Sequence, residues 1–134
     1  MERIQKYLQT HDQFIQHIGI HLDEVKSGYA VASMKIQKMH MNSLNIVQGG
    51  AIFTLADFAF AAASNSHGTA AVGISVNIFY VKAVSTGTLK AEAKETSKNN
   101  KLATYLVNVT DDNNDLIATF QGMVYRKKDP LILE

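Results

Sequence analysis

Residues 49–66 read Gly49-Gly50-Ala51-Ile52-Phe53-Thr54-Leu55-Ala56-Asp57-Phe58-Ala59-Phe60-Ala61-Ala62-Ala63-Ser64-Asn65-Ser66, with Asp57 the only charged side chain among them. Alanine and leucine favour helix, and apolar side chains on nearly every side mark a helix covered by other structure. Turn formers cluster at 65–68, where the helix should end. Upstream, Ile4, Tyr7, Leu8, His11, Ile15 and Ile18 fall at helical spacing, which predicts one amphipathic helix over 3–18 stopped at Gly19. Residues 20–36 alternate as a strand or a bent pair of strands, and 37–48 show no period and read as a loop.

Downstream of Gly68 the period changes to two. Strands are predicted at about 70–83, 87–97, 101–111 and 115–127, separated by turn chemistry at Ser85-Thr86-Gly87, Lys98-Asn99-Asn100 and Asp111-Asp112-Asn113-Asn114. Read as four hairpin-linked strands, they form an antiparallel sheet with the buried helix on its apolar face. This is an α+β layout, a central helix wrapped by a curved sheet.

Composition narrows the function. With 134 residues, 46% of them apolar, the chain suits one domain spanning 1–134. A net charge of +1 gives no field to draw nucleic acid or an anionic membrane, and the absence of cysteine removes thiolate metal sites and a cysteine nucleophile. The longest apolar stretch, around 51–63, falls short of the ~20 residues that span a bilayer. The N-terminus lacks the apolar core of a signal peptide, so a cytoplasmic protein is expected. No Gly-x-Gly-x-x-Gly follows a strand, and Gly68–Gly73 lacks the Lys of a phosphate loop. His17 and His21 are four apart, but Gly19 interrupts them, so no metal site is expected. His11, His40 and His67 are expected in surface or capping roles.

Thr54, Asp57, Ala61 and Ser64 form one stripe along the helix. The stripe is either a solvated strip or the wall of a cleft in which a carboxylate acts as general base or nucleophile. Gly49 and Gly50 favour the cleft, because they leave backbone N–H donors unobstructed at the positive end of the helix dipole, suited to an oxyanion or a phosphate. Eight residues separate Gly49 from Asp57, roughly 12 Å at ~1.5 Å per residue. One carbonyl cannot meet both within a single chain. An enzyme built on them therefore needs two chains, with helices antiparallel across a two-fold axis. The small residues Ala56, Ala59 and Ala63 would allow helices to approach closely, or serve packing inside the chain.

The segment from Asn42 to Asp57, with Gln48-Gly49-Gly50 six residues after the Asn and Leu55-Ala56-Asp57 in the helix, resembles the signature of hotdog-fold acyl-CoA thioesterases of the phenylacetate-degradation (PaaI-like) branch. The resemblance implies a hotdog fold and hydrolysis of an aryl-acetyl, aromatic or medium-chain acyl-CoA, with coenzyme A as part of the substrate and no separate cofactor. It implies Asp57 as the catalytic carboxylate, the Gly49 N–H as oxyanion donor, Asn42 lining the same pocket, and Ser75 helping to hold the attacking water. Gln48 stands at the usual histidine position and can hydrogen-bond but not titrate. Gly50 and Thr54 are expected to adjoin the substrate, and Lys82, Lys98, Lys101 and Arg126 are candidates for the coenzyme A phosphates. The family assembles the site across a homodimer, commonly paired into a homotetramer. A hotdog hydratase or dehydratase and a non-catalytic acyl-CoA binder are the alternatives. Acyl specificity is expected to depend on how Phe53, Phe58, Phe60, Phe79 and Tyr80 pack.

Overall fold

A computed structural model describes residues 1–131. The chain opens with α1 (Glu2–His11) and α2 (Gln13–Ile18), then a hairpin of β1 (Ile20–Lys26) and β2 (Tyr29–Lys35). The long helix α3 (Gly49–Asn65) follows, and then β3 (Thr69–Tyr80), β4 (Thr88–Lys98), β5 (Leu102–Thr110) and β6 (Leu116–Pro130). The single helix expected over 3–18 is two. Asp12 sits in extended backbone between them, and its side chain accepts from the Ile15 N–H to cap α2. Gly19 ends α2 in the left-handed conformation, at φ 82°.

All six strands form one antiparallel sheet in the order β1-β2-β4-β5-β6-β3. The four later strands are therefore not all hairpin-linked. β4–β5–β6 is a meander, but β3 crosses to the far edge and pairs with β6. Turn chemistry at 85–87 marks a reversal without naming the strand's partner. The loop at 37–48 also carries structure, a 3₁₀ turn at Lys38–His40 and a bridge between Met41 and Val47.

The sheet curves around α3. Leu55, Ala56, Ala59, Phe60, Ala62 and Ala63 are buried against it, so the small residues serve packing inside the chain. Phe60 packs edge-on to Tyr105 and tilted on Phe120. A Cβ at Gly122 would come within 2.7 Å of the Phe60 ring. A glycine in a central strand thus lets the helix settle onto the sheet.

The two sheet edges differ. On β1, Gln5 donates to the Leu22 carbonyl and Gln9 to the Ile20 carbonyl, so α1 covers that edge. β3 pairs on one side only and exposes Val72, Ile74, Val76, Phe79 and Tyr80.

Candidate active site

The start of α3 is set by the loop before it. Asn42 Oδ1 accepts from the Leu44 N–H at 2.9 Å and the Ile46 N–H at 3.3 Å, curling the loop, with Asn45 at φ 60°. The Gln48 N–H donates to the His40 carbonyl, which delivers Gln48 to the N-cap position. The Gln48 carbonyl accepts from Ala51 and Ile52, and its side chain caps nothing. Among the described residues nothing accepts from the N–H of Gly49 or Gly50. Two backbone donors are thus left free at the positive end of a 17-residue helix.

Tyr80, at the end of β3, lies across this helix start. Its O–H donates to the Gly49 carbonyl at 3.0 Å, and a Cβ on Gly49 would sit 3.0 Å from Tyr80 Cζ. Gly49 lacks a side chain because an aromatic ring occupies that space. Desolvation pushes the Tyr80 phenol above its ordinary value, which keeps it a donor. Asn42, Gly49, Ile52, Tyr80 and Lys82 line one cleft of about 310 Å³. The sequence marks Tyr80 only as one of the aromatics that shape the acyl pocket; its place against Gly49 is not legible there, because alternation in β3 does not say which loop meets the strand's end.

Asp57 stands two turns further along α3, on its open stripe. Gly50 and Asp57 are exposed and Thr54 and Ala61 half-buried, while Ser64 is covered. Among the described residues no donor or cation pairs with the Asp57 carboxylate. Desolvation by its surroundings, and then the negative charge of Asp12, push that carboxyl above its ordinary range. The Thr54 hydroxyl is spent on the Gly50 carbonyl at 2.8 Å. Gln48 lies beside Gly50, its Oε1 at 2.9 Å from where a Gly50 Cβ would be, and both line a second cleft with Thr54.

Other predicted positions disperse. Ser75 pairs with Met123, one step from Gly122, whose Cα faces Phe60. Ser75 therefore lies on the sheet face turned away from α3, separated from Asp57 and Gly49. The expectation that it holds the attacking water does not fit this placement. The cations divide as well. Lys82 borders the Gly49 cleft and is paired with Asp115 at 2.5 Å. Lys101 and Arg126 converge with Lys127, Lys128 and Tyr125 on a cleft of about 410 Å³ at the opposite end of β3, and Lys98 stays outside it. His67 does more than cap. Its Nε2 meets Glu95 at 2.8 Å, and Tyr105 donates to the same carboxylate oxygen at 2.6 Å, which fastens β4 and β5 to the end of α3. His40 is buried, accepting from the Gln37 N–H and donating to the Ile18 carbonyl.

The family model described as thioesterase superfamily matches residues 44–118, more than half the chain. The chain belongs to the thioesterase superfamily. Within it the chain is PaaI-like: it is 30% identical over 116 residues to the acyl-coenzyme A thioesterase PaaI of Escherichia coli K12, covering 86% of this chain and 83% of that protein. An Archaeoglobus fulgidus protein named "Putative esterase" is 46% identical over 127 residues, covering 94% of this chain and 82% of the relative. Among solved structures, the E. coli PaaI protein superposes with a TM-score of 0.92 at 25% identity, covering 98% of both chains. The Thermus thermophilus phenylacetic acid degradation protein PaaI superposes at 0.83 and 32%, covering 87% of this chain and all of that one. The family match to this PaaI-like thioesterase contains Gly49, Asp57 and Tyr80, and Asn42 lies just before it.

Proposed function

We infer that this thioester hydrolase cleaves an acyl-CoA at a site shared by two copies of the chain, Asp57 coming from one and the Gly49 N–H from the other. The observation that carries this reading is the pairing of an unpartnered, partly desolvated carboxylate with free helix-start donors too far away on the same helix. The open edge of β3, with its row of exposed apolar side chains, supports a second copy there, since the opposite edge is already covered by α1. A two-fold axis that sets Asp57 against the partner's Gly49 crosses α3 midway between those positions, near Phe53.

Asp57 acts as general base: it takes a proton from water while the water oxygen bonds to the thioester carbonyl carbon. Charge gathers on the carbonyl oxygen and is met by the Gly49 N–H, a donor whose kind is worth about 10²–10³ in rate. The C–S bond then breaks, coenzyme A leaves, and the proton held by Asp57 goes to the departing sulfur. Tyr80 holds the Gly49 peptide in place, and Asn42 shapes the loop that starts the helix.

For the coenzyme A phosphates, the cleft of Lys101, Arg126, Lys127 and Lys128 is preferred to Lys82, whose charge already has a partner in Asp115. Thr69 lies in that cleft and Tyr80 against Gly49, at opposite ends of β3, roughly 35 Å apart at ~3.3 Å per residue. An extended pantetheine arm spans about 20 Å. The cleft therefore suits a thioester placed mid-helix at Asp57, opposite a partner's Gly49. Lys101→Ala with Lys128→Ala is expected to raise KM for acyl-CoA about tenfold, with a weaker salt dependence and little change in kcat. Steady-state kinetics against a thioester lacking the nucleotide, which should be unaffected, checks this.

Asp12 offers a second test. Asp12→Asn keeps an N-cap for α2 but removes the negative charge that helps hold the Asp57 carboxyl up. The acid limb of the kcat/KM profile should move to lower pH, because Asp57 then loses its proton more easily. An unmoved or raised limb counts against Asp57 as the titrating base.

The whole reading is checked by thiol release from a panel of aryl-acetyl, aromatic and straight-chain acyl-CoAs. Release supports hydrolysis, whereas enoyl-CoA hydration without release, or binding without turnover, overturns it in favour of another hotdog activity.

A further inference from the structure

A second group of polar side chains gathers at the far end of α3. The helix ends eight residues beyond Asp57, roughly 12 Å along its axis at ~1.5 Å per residue, and His67 lies two residues past that end. The His67 Nε2 meets Glu95 Oε1 of β4 at 2.8 Å. Its Nδ1 meets the hydroxyl of Ser27, in the turn between β1 and β2, at 3.3 Å. The Tyr105 hydroxyl donates to the same Glu95 oxygen at 2.6 Å. Burial alone would raise the Glu95 carboxyl, but the hydrogen bonds from Tyr105 and His67 outweigh it and hold it below its ordinary value. An ionised carboxylate can only accept. His67 therefore carries its proton on Nε2 and leaves Nδ1 to accept from Ser27.

A hydroxyl, a base within its reach and a carboxylate that orients the base are the parts of an activated nucleophile. Here they come from three separate parts of the chain, and the turn that holds Ser27 is fastened on both sides. The Gly28 N–H donates to the buried Ser66 Oγ at 2.7 Å, and the Gly28 carbonyl accepts from the Glu95 N–H at 2.9 Å. Gly28 has φ 69°, and a Cβ there would sit 2.9 Å from Glu95 Oε2, so both the backbone and the close approach call for glycine. The His67 and Glu95 side chains are only 13% and 21% exposed, whereas Ser27 is open to solvent. Base and carboxylate are shielded while the hydroxyl is presented. Among the described residues nothing accepts from the Ser27 N–H, which leaves a free donor beside that hydroxyl.

We propose that Ser27, His67 and Glu95 form a second acyl-transfer site, with Ser27 as the nucleophile toward small carboxylic esters that carry a good leaving group, such as aryl esters. The Ser27 Oγ bonds to the carbonyl carbon as its proton passes to His67 Nδ1, and Glu95 stabilises the imidazolium. The Ser27 N–H meets the charge on the carbonyl oxygen. The C–O bond to the leaving group then breaks, the leaving group takes the proton from His67, and the acyl group stays on Ser27. Water, with His67 again as base, cleaves the acyl-serine to a carboxylic acid and restores the hydroxyl. Neither Asp57 nor Gly49 takes part, so the site stands apart from the thioesterase reading.

The test is labelling by a fluorophosphonate, followed by intact mass and peptide mapping, in wild type, Asp57→Asn, Ser27→Ala and His67→Gln. One adduct at Ser27 is expected in wild type and equally in Asp57→Asn, and none in Ser27→Ala. In His67→Gln the labelling rate should fall by about 10²-fold or more. Because His67 also ties α3 to β4, Ser27→Cys supplies a second measurement that leaves this tie intact. The chain has no cysteine, so the introduced thiol is the only one present. Beside His67 it should react with iodoacetamide at pH 7 about tenfold faster than in the same variant unfolded by urea. The site is overturned by no adduct at Ser27, by loss of the adduct in Asp57→Asn, by labelling as fast in a folded His67→Gln, or by a thiol no more reactive than in the unfolded chain.

Discussion

Asp57→Asn is expected to lower kcat by about 10²–10⁴, the range that a positioned general base supplies, while the folded protein becomes no less stable. The two halves of this expectation have one cause. In the fold, desolvation and the charge of Asp12 push the Asp57 carboxyl above its ordinary value. A group whose folded pKa is raised favours folding when protonated. Its contribution is fully present below the unfolded pKa and is lost as pH rises through the folded one. At neutral pH the ionised Asp57 is therefore a cost to the fold, one tolerated because the carboxylate is needed as a base. Asparagine keeps the shape without the charge, so its thermal midpoint at pH 7 should equal or exceed that of wild type. The difference should vanish in acid, where wild type is protonated too. Thiol-release kinetics beside a thermal melt at pH 7 and at a pH below the ordinary aspartate range, about 3, decide it. Near-normal turnover would remove Asp57 from the chemistry, and a lower midpoint at pH 7 would make it a structural acid.

What could be read from the sequence follows physical range. The stretch around Asp57 was legible because a helix apolar on nearly all sides with one charge is a local pattern, and Gly49–Asn65 is the helix observed. Strand positions were legible from alternation and turn residues. The partner of β3 was not, since pairing with β6 depends on a crossover between distant strands. The break at Asp12 was missed because helical spacing continues across it, although an Asp inside a helix of modest length is a capping signal. In the site, the Gly-Gly pair pointed to the free donors, but only coordinates reveal that Tyr80 fills the space a Gly49 side chain would need. Ser75 shows the opposite failure. Its sequence position suits a helper to Asp57, yet the register sends its side chain to the other face of the sheet. His67 and Glu95, 28 residues apart, could not be paired by spacing at all.

Mixing two inactive variants is expected to restore activity, and this is the strongest test of a shared site. Asp57→Asn removes the base from both sites of a dimer. Gly49→Val is expected to disable the other half, because its Cβ would sit 3.0 Å from Tyr80 Cζ, tighter than ordinary contact, so that the ring or the helix-start peptide must shift. Each homodimer should be nearly silent. In a heterodimer, the Asp57 of the Gly49→Val chain faces the intact Gly49 of the Asp57→Asn chain, giving one native site, and the second site carries both lesions. Random exchange of equal amounts makes about half the dimers mixed, each with one working site of two, so recovery should approach about a quarter of wild-type activity. If base and donor instead served the same chain, every site in every mixture would carry one lesion, and mixing would restore nothing. Recovery should appear only after subunits exchange, and a charge placed on the open edge of β3, such as Val76→Lys, should prevent it by keeping chains apart. No recovery after exchange is shown by mass would overturn the shared site, and with it the joint action of the two groups, since the roughly 12 Å between them along α3 forbids a single-chain site for one carbonyl.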